Sequence, residues 1–172
     1  MRTFLLRAAV TSAAAASALL VTTAAAQAAE PAPASEQPST QVTKLSHSDA
    51  TQRLRASGIT WSSSGNCSDR NNPTCTSFEQ VNLTTIQGIQ TLKSASGCAI
   101  NVTGGTETGH ASGTYSHWNG YKLDTSLSTC LNNYIQNSFS YIGGSKWQSA
   151  SGNIYYKEGN HWDITYYNCG GC

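Results

Sequence analysis

The stretch IYYKEGNHWDITYY, residues 154–167, decides the fold class because its pattern is that of a β-hairpin. Residues 154–157 and 161–167 are rich in the aromatic and β-branched side chains that favour strands. Between them, residues 158–160 supply Gly and Asn, which adopt the backbone conformations that tight turns require. The chain is therefore predicted to end in a pair of antiparallel strands.

Upstream of the hairpin, capping residues followed by apolar residues at helical spacing predict three helices. They are residues 50–56 after Ser48 or Asp49, a helix that begins at Thr76 or Ser77 and ends at Ser96-Gly97, and a helix from Thr125 or Ser126 to about Gln136. Two further strands are predicted over residues 98–102 and 120–124. We expect an α+β fold, a single small domain with a central antiparallel sheet that is backed by helices and stapled by disulfides.

The N-terminus has the pattern of a secretory signal peptide. Arg2 and Arg7 precede or open a short apolar run, and small residues at 26–28 offer a cleavage point. A transmembrane anchor is the alternative, but the run is short and no basic flank follows it. We expect a signal peptide at 1–28, a disordered leader or linker at 29–47 that would equally suit a short propeptide, and a secreted, extracellular domain at 48–172.

The six cysteines favour disulfides, since an exported chain folds in an oxidising compartment. Six cysteines allow fifteen pairings, which sequence alone does not separate. From loop proximity and the predicted layout we expect the pairs Cys67–Cys75, Cys98–Cys130 and Cys169–Cys172. A cysteine zinc site is the alternative, but the C-terminal Cys-Gly-Gly-Cys has no second Cys-x-x-Cys to complete it.

The charge balance restricts the partners. The formal net charge is +1, and no basic stripe is present, so nucleic acid is not an expected partner. After signal cleavage we expect a monomer that does not bind membranes.

Two short stretches carry residues that suit a metal site. SHWNGYKLD, residues 116–124, holds His117 and Asp124, and the hairpin adds Glu158 and His161. A catalytic zinc needs three protein ligands with nitrogen or oxygen donors and one open position, which His117, Asp124 and His161 would provide for one Zn²⁺ per chain. Glu158 would move the proton of the attacking water, and Asp163 would orient a ligand.

The pattern S-H-x-x-G-x-x-x-D followed by E-x-x-H-W resembles the zinc peptidases of the D-alanyl-D-alanine carboxypeptidase type. These belong to one structural superfamily with lysostaphin-type enzymes and the hedgehog N-terminal domain. The matching residues are Ser116, His117, Gly120, Asp124, Glu158, His161 and Trp162. The resemblance covers roughly residues 98–167. It implies a small α+β fold, zinc held by His117, Asp124 and His161, Glu158 as the general base, and the stem peptides of bacterial peptidoglycan as substrates.

Two departures from that pattern bear on substrate binding. Members of the family usually carry an arginine before the long loop, where it binds the substrate's carboxylate, but INVTGGTETGH, residues 100–110, has none. Lys122 stands where a small residue is usual. We hypothesise that Lys122 or a backbone nest at Gly104-Gly105 binds the carboxylate instead. Alternatively no free carboxylate is bound, and the protein is an endopeptidase or is not catalytic.

Several residues have weaker assignments. His110 lies in the Gly-rich loop 104–117, where we expect it to line the cleft, although a solvated histidine would have the same sequence context. Ser116 and Trp162, which flank the expected ligands, are candidates for substrate binding or for orienting a ligand. His47 falls in the expected leader and has no predicted role.

Simpler interpretations stay open. His117 and Asp124 alone would suit a loop histidine and a helix-capping aspartate. A secreted binding or inhibitory module with a non-catalytic zinc is the main alternative to a peptidase. A glycosidase that uses Glu158 and Asp163 is weaker, since it explains neither histidine.

Overall fold

The computed structural model describes residues 42–167. The expected signal peptide, almost all of the leader and the expected Cys169–Cys172 pair lie outside these residues. The folded chain begins before the expected leader boundary at residue 47, because β1 (Lys44–Leu45) already pairs with β3 (Val81–Asn82). Among the described residues, no helix is both long enough and apolar enough to cross a membrane.

The first helix, α1 (His47–Ala56), starts three residues earlier than predicted. Ser46, not Ser48 or Asp49, is its N-cap, and the Ser46 hydroxyl accepts a hydrogen bond from the Asp49 N–H. Asp49 lies instead in the first turn, where its charge favours the positive end of the helix. His47 accepts a hydrogen bond from the Phe78 N–H at 3.0 Å and stacks on its ring, so it belongs to the folded structure.

The sheet has seven strands in the order β2-β4-β5-β9-β8-β7-β6. Their bounds are β2 Thr60–Trp61, β4 Asn101–Gly104, β5 Lys122–Ser126, β6 Ser140–Gly143, β7 Lys146–Gln148, β8 Ile154–Glu158 and β9 His161–Thr165. Every neighbouring pair is antiparallel except β2 and β4. The predicted α+β fold with a largely antiparallel sheet is confirmed, as is the predicted C-terminal hairpin.

The predicted start of the second helix was wrong. It was expected to begin at Thr76 or Ser77, whereas α2 spans Leu83–Ser96. The backbone of Ser77 is committed elsewhere, since its N–H donates to the Glu107 carboxylate and its carbonyl accepts from Thr106. Gln80 then takes a left-handed conformation with φ of 64°, which no helix continues. The helix ends as predicted, with Gly97 in the left-handed conformation at φ of 66°.

The third helix, α3 (Thr129–Ser138), also begins later than predicted. Thr125 and Ser126 do not cap it, because both belong to β5 and pair with Trp162 and His161 of β9. The cap is Ser128, whose hydroxyl accepts from the Leu131 N–H.

Alternation along the two central strands separates a core face from a site face. The core face carries Leu123 and Thr125 of β5 and Trp162 and Ile164 of β9, which form cross-strand pairs. These apolar side chains join the buried residues of the three helices in one core: Leu54, Ile86, Ile89, Leu131 and Ile135. The site face carries Lys122, Asp124 and Ser126 of β5 and His161, Asp163 and Thr165 of β9.

Two of the three expected disulfides lie in the described residues, and both are confirmed. Cys67 pairs with Cys75 within one loop, and Cys98 pairs with Cys130 of α3. A disulfide that closes a loop of such length typically stabilises a small domain by about 2–4 kcal/mol.

Candidate metal centre

The site face brings four residues from three neighbouring strands together. Asp124 of β5 lies directly opposite Asp163 of β9, and His161 of β9 lies opposite Glu158 of β8. Their side chains therefore project from the same side of the sheet. The loop between β4 and β5 crosses this surface and adds His110 and His117. The sequence prediction that these distant residues meet is thus reproduced by the geometry.

The loop owes its shape to Glu107, which no sequence pattern identified. Its side chain is 3% exposed, and its carboxylate accepts N–H groups from Ser77 at 2.7 Å and from Gly105 at 3.0 and 3.1 Å. Burial raises the pKa of Glu107, but the hydrogen bonds from the His110 ring and these backbone N–H groups outweigh it and hold the pKa below its ordinary value. The one available signal was that Glu107 is the single acidic residue of loop 104–117.

A glycine lets the loop approach the strand. Gly104 packs against the Asp124 carboxylate so closely that a Cβ added there would lie 2.5 Å from Oδ2. Such a contact is far shorter than non-bonded atoms allow, so any larger residue would push the carboxylate away. The Gly-rich composition of the loop is therefore partly explained by access to Asp124.

Three imidazole rings surround the Asp124 carboxylate. Nε2 of His117 lies 3.3 Å and Nε2 of His161 lies 3.7 Å from Oδ1, while Nδ1 of His110 lies 3.7 Å from Oδ2. The rings of His110 and His117 stack in parallel, with centroids 3.8 Å apart. Asp124 is buried, and its Oδ1 finds no hydrogen-bond partner within residues 42–167. A buried carboxylate oxygen without a hydrogen bond is costly unless a cation binds it.

In each histidine, the ring nitrogen that faces away from Asp124 determines whether the nitrogen that faces Asp124 carries a proton or a lone pair. Nδ1 of His117 lies 2.7 Å from the Gly105 carbonyl, Nε2 of His110 lies 3.2 Å from a Glu107 oxygen, and Nδ1 of His161 lies 3.1 Å from the Asn160 amide oxygen. Each of these partners accepts, so each of those nitrogens donates, and a neutral ring then turns a lone pair toward Asp124.

A ring nitrogen whose lone pair faces a carboxylate oxygen repels that oxygen, so a cation is needed between the two atoms. Protons on the rings would relieve the contacts one at a time, whereas one metal ion relieves them together. Outer acceptors that fix the tautomer in this way are the usual partners of metal-binding histidines. The ligand atoms of His110, His117 and Asp124 all lie within 4.8 Å of one another, so this group could hold a metal ion.

The ligand set is therefore broader than the sequence predicted. His117 and Asp124 are common to the predicted set and to the compact group, whose third member is His110. The predicted third ligand, His161, is adjacent, with its Nε2 near the same Asp124 oxygen. Burial raises the pKa of Asp124, but in the metal-free site a hydrogen bond from His117 and the positive charge of His117, His161 and His110, when these rings are protonated, outweigh burial and lower that pKa below its ordinary value.

A cavity of about 260 Å³ opens over these residues. Its lining residues are Gly109, His110, Ala111, His117, Lys122, Asp124, Glu158, His161 and Asp163. Glu158 stands at the mouth, where its side chain is 50% exposed and its Oε2 lies 3.9 Å from Nε2 of His161. The predicted proton carrier thus faces the same space as the candidate ligands.

Both groups that were expected to bind a substrate carboxylate already hold a carboxylate of the chain. Nζ of Lys122 lies 2.7 Å from Oδ2 of Asp163, and the Gly105 N–H donates to Glu107. The other oxygen of Asp163, Oδ1, is buried and has no hydrogen-bond partner in the described part of the chain. The hypothesis that Lys122 or the Gly104-Gly105 nest takes over for the missing arginine stays a prediction, and such binding would have to displace Asp163 from Lys122 or Glu107 from Gly105.

Ser116 and Trp162 do not line the metal cavity, although Ser116 lines an adjoining cavity of about 280 Å³. The Ser116 hydroxyl accepts the Asn119 N–H and its carbonyl accepts the Tyr121 N–H, so it braces the turn that follows His117. Trp162 is fully buried on the core face, where its Nε1 donates to Asn132 at 2.9 Å. Their positions beside the candidate ligands reflect support of the fold.

Comparison with known proteins yields no match to a protein-family model, to a curated protein or to a solved structure. The likeness to the zinc peptidases therefore depends on the two motifs alone.

Proposed function

We propose that this chain is a secreted zinc-dependent peptidase. The observation that carries the proposal is the buried Asp124 carboxylate, whose Oδ1 has no hydrogen-bond partner in residues 42–167 and which faces three imidazole nitrogens beside an open cavity. The resemblance of the motifs to D-alanyl-D-alanine carboxypeptidase-type enzymes supports the same conclusion.

Zinc suits the donor set. Imidazole nitrogens and a carboxylate oxygen are common ligands of catalytic zinc. His117 and Asp124 would hold the ion, with His161 as the third ligand in the arrangement that the resemblance implies. Zinc bound there would supply a Lewis acid that makes hydroxide available near neutral pH.

Glu158 is the proposed general base. Its carboxylate lines the cavity and lies on the strand directly opposite His161, so it is placed beside the ligand cluster without belonging to its compact part. In hydrolysis it would take a proton from the attacking water and deliver it to the leaving amine nitrogen. Its partial exposure leaves it free to turn toward a bound peptide.

The proposed substrates are the stem peptides of bacterial peptidoglycan, and the proposed location is extracellular. The substrate class comes from the motif resemblance. The N-terminal signal pattern and the two disulfides support secretion, because disulfides persist in oxidising surroundings. We propose that the mature domain acts as a monomer.

A binding module with a non-catalytic metal is the second candidate. His110 favours it, because His110, His117, His161 and Asp124 together would fill a tetrahedral coordination shell. Structural zinc sites are closed in this way, whereas catalytic ones keep a position open.

Hydrolysis of defined stem peptides by the zinc-loaded domain, before and after chelation, separates the two candidates. The peptidase predicts cleavage that chelation abolishes and zinc restores. It also predicts that Glu158→Gln keeps the zinc but lowers kcat by about 10²–10⁴-fold, the usual contribution of a general base. Lys157→Gln, whose side chain projects from the opposite side of β8, is the matched control. Bound zinc with no cleavage of any peptide would favour the binding module.

A further inference from the structure

Resting on the proposed function, we infer that the site hydrolyses internal peptide bonds, in which the residue after the scissile bond carries no free carboxylate. The substrate is then an extended or cross-linked peptide, not one that ends directly after that residue. Lys122, the permanently charged cation among the described residues that line the cavity, is already paired with Asp163, and other cavities adjoin this one.

A terminal carboxylate needs a charged or N–H partner where it enters a cavity, because leaving a buried charge unpaired is costly. Of the described residues that line this cavity, Lys122 is the one with a permanent positive charge. Its Nζ lies 2.7 Å from Oδ2 of Asp163, and the Asp163 side chain is almost buried. Lys122 is therefore neutralised by the chain itself.

A backbone anion site in the neighbouring loop is already occupied by the chain itself. The N–H groups of Ser77 and Gly105 converge on one carboxylate, that of Glu107, and so form an anion cradle that is already filled. In addition, Glu158 brings a carboxylate to the mouth of the cavity, and its negative charge opposes entry of another carboxylate. An amide-linked residue carries no charge and avoids these costs.

Space is available on both sides of the cluster. A cavity of about 370 Å³ shares Lys122 and Asp163 with the metal cavity and is lined further by Tyr115, Ile142, Lys146, Ile154, Tyr156, Thr165 and Tyr167. On the other side, a cavity of about 280 Å³ shares Gly109 and His110 and is bounded by Trp118. The metal cavity thus lies between two others, as a site that binds a continuing chain requires. The tyrosines offer flat apolar faces with polar ends for that chain.

The reaction adds one water across an internal amide. Oxygen from water bonds to the carbonyl carbon, the C–N bond breaks, and the water's proton passes through Glu158 to the amine. The products are a new carboxylate and a new amine, and no further reactant is needed.

The test uses the zinc-loaded mature domain with three probes. They are a stem peptide ending in D-alanyl-D-alanine as the free acid, the same peptide as its C-terminal amide, and a cross-linked dimer in which that bond is internal. We expect kcat/KM for the amide and the dimer to exceed that for the acid by about tenfold or more. Preferential cleavage of the acid would overturn the inference while leaving the peptidase intact. Cleavage of none, with zinc bound, would overturn the proposed function and the inference with it.

Variants that change the charge at Lys122 and Asp163 then test whether the pairing of these two residues is what disfavours the free-acid substrate. Asp163→Asn frees Lys122 and is expected to raise the acid-to-amide ratio of kcat/KM by about tenfold. The double variant Lys122→Met/Asp163→Asn removes both charges without leaving either buried alone, and it should keep the wild-type ratio. A fall in that ratio in the folded double variant would show that Lys122 binds the substrate carboxylate and would contradict the inference. Thermal unfolding checks that each variant is folded.

Discussion

The two faces of strands β5 and β9 differ in what their side chains contact. On the core face, Trp162 is fully buried and donates its indole N–H to Asn132, while Ile164 packs with Leu123. One residue away on the site face, Asp163 and Asp124 each keep a buried oxygen that has no hydrogen-bond partner among the described residues. Adjacent positions of one strand thus contribute to the core on one side and, in the proposed function, to metal binding on the other.

Successive residues of a strand face opposite sides of the sheet. We therefore expect substitutions on the core face and on the site face to affect different properties of the protein. Substitutions on the core face should change the free energy of unfolding and leave the affinity for metal unchanged in the folded protein. Substitutions of the candidate ligands on the site face should do the reverse. Asp124 represents the site face, Trp162 the core face, and Glu107 the loop that supports the site.

The largest effect is expected at Asp124. Asp124→Ala removes the carboxylate shared by every candidate ligand set, so zinc affinity should fall by more than the roughly 100-fold that losing an outer partner costs. Calorimetric titration of the metal-free domain measures it. Ser126→Ala, on the same face of the same strand, is the control and should bind zinc normally. Equal affinity in the Asp124 variant would remove the metal centre from this account.

A loss of stability is expected at Trp162. Trp162→Ala empties a buried site and leaves Asn132 without the indole N–H, so the free energy of unfolding should fall by about 3–5 kcal/mol. Denaturant unfolding measures it, and Trp162→Phe should lose less. Zinc affinity of either variant, measured where it is folded, should match the wild type. A large loss of affinity would break the separation between the faces.

A smaller effect is expected at Glu107, which supports the site from the loop. Glu107→Gln weakens the acceptor of the His110 ring and the partner of two backbone N–H groups. Zinc affinity should fall by about 10–100-fold, as when an outer carboxylate partner of a metal-binding histidine is lost. If His110 is not a ligand, the affinity will be unchanged, and His117, Asp124 and His161 alone form the site.

The smallest effect concerns pH. The pKa of Glu107 is lower in the folded domain because hydrogen bonds to His110 and the backbone outweigh burial. Its contribution to stability is thus present above the unfolded-state pKa and is lost as pH falls through the folded-state pKa. In metal-free protein, unfolding free energy should decline less in Glu107→Gln than in the wild type across that acidic range. Identical pH dependence would contradict the assigned shift.

Local patterns predicted the hairpin well because its two-residue turn and alternating strands are specified by neighbours in sequence. The pairing of Cys67 with Cys75 was accessible for the same reason. The helix expected at Thr76 failed because the backbone of Ser77 bonds to Glu107, thirty residues away. Strands β6 and β7 were missed, since they bury little and show no clear alternation.

The candidate site was predictable in part. His117, Asp124, Glu158 and His161 stand at motif spacing. Strand register brings the last three to one face, and the loop between β4 and β5 adds His117. Glu107 was not predictable, because its role depends on N–H groups that only the folded loop presents. The pairing of Lys122 with Asp163 was likewise hidden, since it depends on which residues of β5 and β9 face each other.

Binding of a metal ion by Asp124 and the surrounding histidines is the property on which the proposed function depends. Its most direct test is thermal unfolding of the metal-free domain with and without zinc, for the wild type and for Asp124→Asn. A ligand at about 100 times its Kd stabilises the folded state by about 2.7 kcal/mol. The account predicts a clear rise in Tm for the wild type and none for the variant. No rise in the wild type, or an equal rise in both, would contradict it.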